Sequence, residues 1–289
     1  MQQIVIAVLR LQGRKRRWAD GAKLVADARG HRPVAPPTRL RKRVHLSTDE
    51  ALGFAVHRLA PLVASPGSPT VLYLHGGGYI HDFASQHWTF MVTLVERTGA
   101  TVLAAQYPLA PEHTWRDSFP QVLTIARGVD VVAGDSAGGG FALAIAQSLA
   151  AEGIARDTVL IAPLVDATMS DSRTAEYDAV DPWLATDGVL HCGRAWAGED
   201  DPARPEISPL FGSFDGLGRV LVFTGTRDVL HPQARRLATA GENVEVIAEQ
   251  GCVHNYPLLP IPEARVALET LAEFLLPQDD SLRKTPHID

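Results

Sequence analysis

Cysteine is almost missing from this 289-residue chain. There are two, Cys192 and Cys252, too few for a disulfide framework. Free thiols in a reducing compartment are therefore expected. Long apolar runs are missing as well. The short run from Ile4 to Leu9 cannot span a bilayer. Its basic residues follow it, the reverse of the order in a secretory signal. These absences predict a soluble, cytoplasmic protein. No Gly-Lys-Ser/Thr occurs, which excludes a P-loop. Gly76-x-Gly78 has His81 where the dinucleotide fingerprint needs its third glycine. His81 and His87 lack metal-ligand spacing, so no metal and no organic cofactor is expected.

Acidic charge is scarce only at the start. Residues 1–45 hold 12 Lys/Arg against 2 Asp/Glu, and the remainder holds 15 against 31. The run Arg14-Lys15-Arg16-Arg17 reads first as a solvated helical face, with weak membrane-surface contact as the alternative. The acidic remainder argues against nucleic acid as a partner. Apolar residues make up 46% and charged residues 21%, the balance of a globular chain with a sizeable core.

Periodicity divides the chain into alternating elements. Residues 1–31 read as one or two helices, with Ile4, Val8, Leu11 and then Leu24, Val25, Ala28 at helical spacing. A Pro-rich break spans 31–37, and a turn spans 65–69. Strands are expected at 53–60, 70–74, 101–105, 129–133, 159–162, 220–224 and 244–248. Helices are expected at 85–98, 119–127, 136–151, 233–240 and 262–276. Residues 170–210 are rich in Asp, Pro and Trp and break the pattern. The tail from Pro277 is polar. Strands separated by helices predict an α/β fold with a mostly parallel sheet covered on both faces. In such sheets the chemistry sits at the carboxyl ends of the strands.

The informative residues stand there. Gly134-Asp135-Ser136-Ala137-Gly138 matches G-x-S-x-G between an expected strand and a helix, the setting of a nucleophile elbow. A sharp turn needs small neighbours and lifts the hydroxyl above the sheet. His75-Gly76-Gly77-Gly78-Tyr79 follows another strand. Its glycines let backbone N–H groups approach a ligand and stabilise an oxyanion. A serine nucleophile needs a base and an orienting acid. His191 lies in the irregular stretch, His287 in the tail, and His231 close behind an acid candidate. His254 follows the final strand, where the base belongs. Asp228 is the favoured acid, and Asp166, after an earlier strand, is its rival. Glu112 and His113 read as loop supports, Cys252 as a packed thiol, and Trp88 and Trp183 as core, cap or pocket lining.

These stretches resemble the bacterial hormone-sensitive-lipase family of esterases and lipases. The resemblance runs from about residue 50 to 275. Its other motifs are YPLAPEH at 107–113, DPWL at 181–184, SPL at 208–210 and GTRDVL at 225–230. It implies the α/β-hydrolase fold, a mostly parallel twisted sheet with helices on both faces and a helical cap. It implies Ser136, Asp228 and His254 as a triad. It implies Gly77, Gly78 and Ala137 as oxyanion donors, with Gly76 shaping the loop. It implies one domain over 1–289, with cap elements from about 1–40 and 168–210. The expected activity is a carboxylesterase acting on small-molecule esters of short to medium chain. Lactonase, amidase, deacetylase and lipase chemistry share the same triad. A non-catalytic binder of this fold is disfavoured because every triad position is filled. The resemblance also suggests homodimers paired through the sheet edge. Three departures bear on the acyl pocket: a short 113–129 segment, Pro232 where the family often has a second Asp, and a short N-terminal segment.

Overall fold

The computed structural model describes residues 1–30, 33–64 and 67–276. Parts of the expected break at 31–37 and turn at 65–69 lie outside the described residues, as does the whole tail with His287. Three helices open the chain: α1 (Gln2–Leu11), α2 (Arg14–Trp18) and α3 (Gly21–Asp27). Then follow β1 (Val44–Asp49), β2 (Val56–Pro61), β3 (Thr70–Leu74), α4 (Ser85–Thr98), β4 (Thr101–Ala105), α5 (Trp115–Ala126), β5 (Val131–Asp135) and α6 (Ala137–Ala151). The second half holds β6 (Asp157–Ile161), α7 (Thr174–Val180), α8 (Thr186–Ala197), β7 (Val220–Arg227), α9 (His231–Arg236), β8 (Val244–Val253) and α10 (Pro262–Leu275).

The eight strands form one sheet in the order β1-β2-β4-β3-β5-β6-β7-β8. From β4 to β8 every pairing is parallel, and β1 and β2 add an antiparallel edge. The apolar strand residues explain this placement. Val71, Leu72, Tyr73 and Leu74 are all buried, as expected of a strand covered on both faces. α6 is buried along almost its whole length, from Ala137 through Ala146 and at Leu149. Its alanines and glycines let it lie close against the sheet.

Several elements differ from the sequence reading, beginning with three opening helices where one or two were expected. β1 was not expected, because only Val44 in it is buried. Its state is set by pairing with β2, from Val44↔Pro61 to Asp49↔Val56. α5 starts at Trp115 rather than Phe119. A capping box sets that start, with Thr114 N–H donating to Asp117 Oδ2 at 2.7 Å. The stretch at 170–210, where the periodicity breaks, carries two helices, α7 and α8. α8 packs on α2 and α3, so the opening helices and this insertion meet over one end of the sheet. Among the described residues, no helix is long and apolar enough to cross a membrane.

Candidate active site

β5 ends at Asp135 and α6 begins at Ala137, so Ser136 alone makes the turn. Its φ is +52° and its ψ −123°, a conformation L residues rarely adopt. Backbone bonds hold it: Ser136 N–H donates to Ile161 O at 2.8 Å, and Ser136 O accepts from Leu164 N–H at 2.9 Å and from Gly139 and Gly140 N–H in the new helix. The small neighbours are required. A Cβ at Gly138 would lie 2.1 Å from Leu74 O.

Asp228 follows the end of β7, and His254 follows the end of β8. Both side chains are buried. His254 Nδ1 lies 2.8 Å from Asp228 Oδ2, and His254 Nε2 lies 3.0 Å from Ser136 Oγ. These partners assign the neutral tautomer. Nδ1–H donates to the carboxylate, and Nε2 accepts from the hydroxyl. Burial pulls the His254 pKa down, but the charge and hydrogen bond of Asp228 outweigh it, with Asp181 and Asp135 adding to the rise. The imidazole is thus a stronger base than an ordinary histidine.

Asp166 does not join this group. Its Oδ1 accepts from Thr168 N–H and its hydroxyl, and its Oδ2 from Ser170 N–H and its hydroxyl. It shapes the loop after β6.

The HGGGY loop lies against the elbow. Gly77 has φ +122°, open to glycine alone at little cost. Among the described residues, the backbone N–H groups of Gly77, Gly78 and Ala137 have no acceptor. The Gly76 N–H is occupied, donating to Asp135 Oδ1 at 2.9 Å. α2 and α8 roof the loop. A Cβ at Gly78 would lie 2.9 Å from Trp18 Cη2 and 3.1 Å from Cys192 Sγ. Trp183 meets His254 edge to face at 5.7 Å between ring centroids, whereas Trp88 is in the core. A 640 Å³ cavity between Phe54, Ile80, Tyr107 and Glu112 is not lined by Ser136 or His254.

Two buried carboxyls surround the site, and sequence reasoning gave neither a role. Asp135 Oδ1 accepts from Tyr73 Oη at 2.6 Å as well as from Gly76. Its Oδ2 accepts from Asn255 Nδ2 at 2.7 Å and faces His87 Nε2 at 3.3 Å. One carboxylate thus ties β3, the glycine loop, α4 and the residue after His254 to the elbow. Burial would raise its pKa, but His87 and the hydrogen bonds of Tyr73 and Gly76 bring it down to about 2. Asp181 Oδ1 accepts from Trp183 N–H and Leu184 N–H. Burial, and then the charge of Asp228, push its pKa up to about 7 against three backbone N–H bonds. Asp135 is the variable residue of G-x-S-x-G, and Asp181 lies 47 residues before Asp228. Neither spacing signals contact.

Glu112 supports a loop as expected, accepting from Gly30 N–H at 3.1 Å. Cys192 and Cys252 are free and buried, and burial lifts both thiols to about 12. No cluster of His, Cys, Asp or Glu among the described residues could hold a metal ion.

The sequence matches the family model described as the alpha/beta hydrolase fold over residues 71–258. The chain belongs to that family. An esterase of Acinetobacter venetianus is 28% identical over 223 residues, covering 71% of this chain and 73% of the esterase. An acetyl-hydrolase of Streptomyces hygroscopicus is 30% identical over 223 residues, covering 71% of this chain and 75% of that enzyme. A hormone-sensitive lipase from a metagenome library has a similar structure, with a TM-score of 0.78 and 23% identity. That likeness covers 95% of this chain and 97% of the lipase chain, and it shows the fold.

Proposed function

We propose that this carboxylic ester hydrolase is a carboxylesterase for short- to medium-chain esters, working through an acyl-enzyme on Ser136. His254 Nε2 takes the hydroxyl proton as Oγ attacks the ester carbonyl. The C=O π electrons move onto oxygen, and the N–H groups of Gly77, Gly78 and Ala137 receive the oxyanion. The tetrahedral intermediate collapses, and the imidazolium returns its proton to the leaving alcohol. Water then enters, loses a proton to the same nitrogen and attacks the acyl-enzyme. A second collapse frees the acid and re-protonates Ser136. Asp228 holds the ring with Nδ1–H inward and stabilises the imidazolium. No step calls for a metal or an organic cofactor.

One observation carries this reading: Oγ, Nε2, Nδ1 and Oδ2 form a continuous hydrogen-bonded line of 3.0 and 2.8 Å links. The acetyl-hydrolase and esterase relatives support the small acyl group. The opening helices and the insertion at 168–210, meeting above Gly78, act as the cap. Ser136→Ala should lower kcat by about six decades, the scale for a lost triad serine. A fluorophosphonate probe should label wild type and leave the variant blank. Labelling of the variant at Cys252 or at another serine would refute the assignment.

A further inference from the structure

We propose that the outer face of α1, with the arginines beside it, is a docking surface for an anionic lipid layer. α1 is apolar on two faces. Its inner face buries Ile6 and Leu9 against Val253, Trp183 and Leu259. Val253 precedes His254, and the Trp183 ring meets the His254 ring. The inner face therefore rests directly on the wall of the candidate site. The outer face carries Ile4, Val8 and Leu11, which are 63%, 43% and 88% exposed. Their spacing of four and three residues places them in one stripe along the helix. A helix that has already buried one face ordinarily turns polar residues to water. This one presents a second aliphatic stripe.

The charges of α1 and of α2, which packs on it, select the partner. Arg10, Arg16 and Arg17 are exposed, and none has an ion-pair partner among the described residues. Lys15 is engaged with Asp178, and Arg14 lies over Trp183 at 5.8 Å, so neither is counted. A second copy is a poor occupant, because pairing α1 with itself gathers like charges. Nucleic acid would leave the aliphatic stripe unused. An anionic lipid surface meets both features: acyl chains take the aliphatic residues, and headgroup phosphates take the arginines. Docked this way, α1 lies between the lipid layer and the wall that Val253 and Trp183 form beside His254.

The test uses the full chain in flotation assays. One set of vesicles is phosphatidylcholine alone, and the other contains one part phosphatidylglycerol in about three. Partition onto the anionic vesicles should be at least about tenfold stronger, and should weaken in about 0.5 M salt. The combined change Ile4→Ser, Val8→Ser, Leu11→Ser should lose about tenfold or more, as should Arg16→Gln with Arg17→Gln. Both variants should keep the wild-type circular dichroism spectrum and unfolding temperature. If the triple variant does not fold, Leu11→Ser alone carries the apolar arm. Ser136→Ala should dock like wild type, which separates this surface from the proposed chemistry. Equal partition onto both vesicle types, no partition, or undiminished binding by both variants would overturn the proposal. A fall in light-scattering mass in the triple variant, without vesicle binding by wild type, would assign the face to a second copy instead.

Discussion

The carboxyl of Asp181 accepts a hydrogen bond at 2.8 Å from the backbone N–H of Val229, the residue immediately after Asp228. Its other oxygen holds the backbone of Trp183, whose ring meets His254. Asp181 thus braces two sides of the imidazole without touching Ser136. Asp181→Asn keeps the shape but removes one acceptor and one charge. Loss of nearby negative charge lowers the His254 pKa, so the acidic limb of kcat/KM should move to lower pH. The sign for stability also follows. A carboxyl raised in the folded state, here to about 7, favours folding when protonated. That contribution is present below the ordinary carboxyl value and is lost as pH rises through about 7. The unfolding temperature of Asp181→Asn relative to wild type should therefore climb between about pH 4 and pH 7. A flat difference across that range would contradict the shift.

Asp228 and Asp166 make opposite predictions. Asp228 bonds His254 and Asp166 does not. In Asp228→Asn the amide can donate to Nδ1 and favour the unproductive tautomer. The expected loss is about four decades in kcat near neutral pH. Asp166→Asn should cost far less activity, and any effect should follow its unfolding temperature. A dead Asp166→Asn beside an active Asp228→Asn would reverse the assignment of the acid.

Asp135 should act on stability first. Asp135→Asn leaves at least one buried donor of the Tyr73, Gly76, His87 and Asn255 set without an acceptor. The cost of one such group is about 1–3 kcal/mol. The native carboxyl sits near 2, below its ordinary value. Its contribution is full above about pH 4 and is lost as pH falls toward 2. Urea unfolding at about pH 6 and pH 3 should show the wild-type advantage shrinking at the lower pH. An advantage that grows on acidification would show the carboxylate is not held in its ionised form.

Acyl length should show an optimum. Each methylene that fits adds up to about 0.8 kcal/mol of burial, and the gain ends when the chain meets the wall. Trp18 and Cys192 already crowd Gly78. Rates on a p-nitrophenyl ester series should peak between about C4 and C8, with a lactone and an anilide as slower controls. Highest activity on emulsified long-chain triglyceride would favour a lipase instead.

Local rules made much of this protein legible in its sequence. Apolar runs marked β3 to β8 and the helices α4, α5, α6 and α9 between them, because a two-sided parallel sheet demands continuous apolar strands. The elbow at Ser136 and the loop at Gly76 to Gly78 were readable because sharp turns and close backbone approach tolerate few residue types. His254 and Asp228 were reached by order along the chain, and the fold brings Asp228, not its rival Asp166, beside the imidazole. Tertiary structure decided what depends on neighbours far away in sequence. β1 is a strand because β2 pairs with it, not through its own pattern. α7 and α8 pack against elements whose positions no local periodicity encodes. Asp135 and Asp181 matter because the fold buries each among donors from separate segments. Burial turns an ordinary carboxyl into a brace, and burial belongs to the assembled sheet.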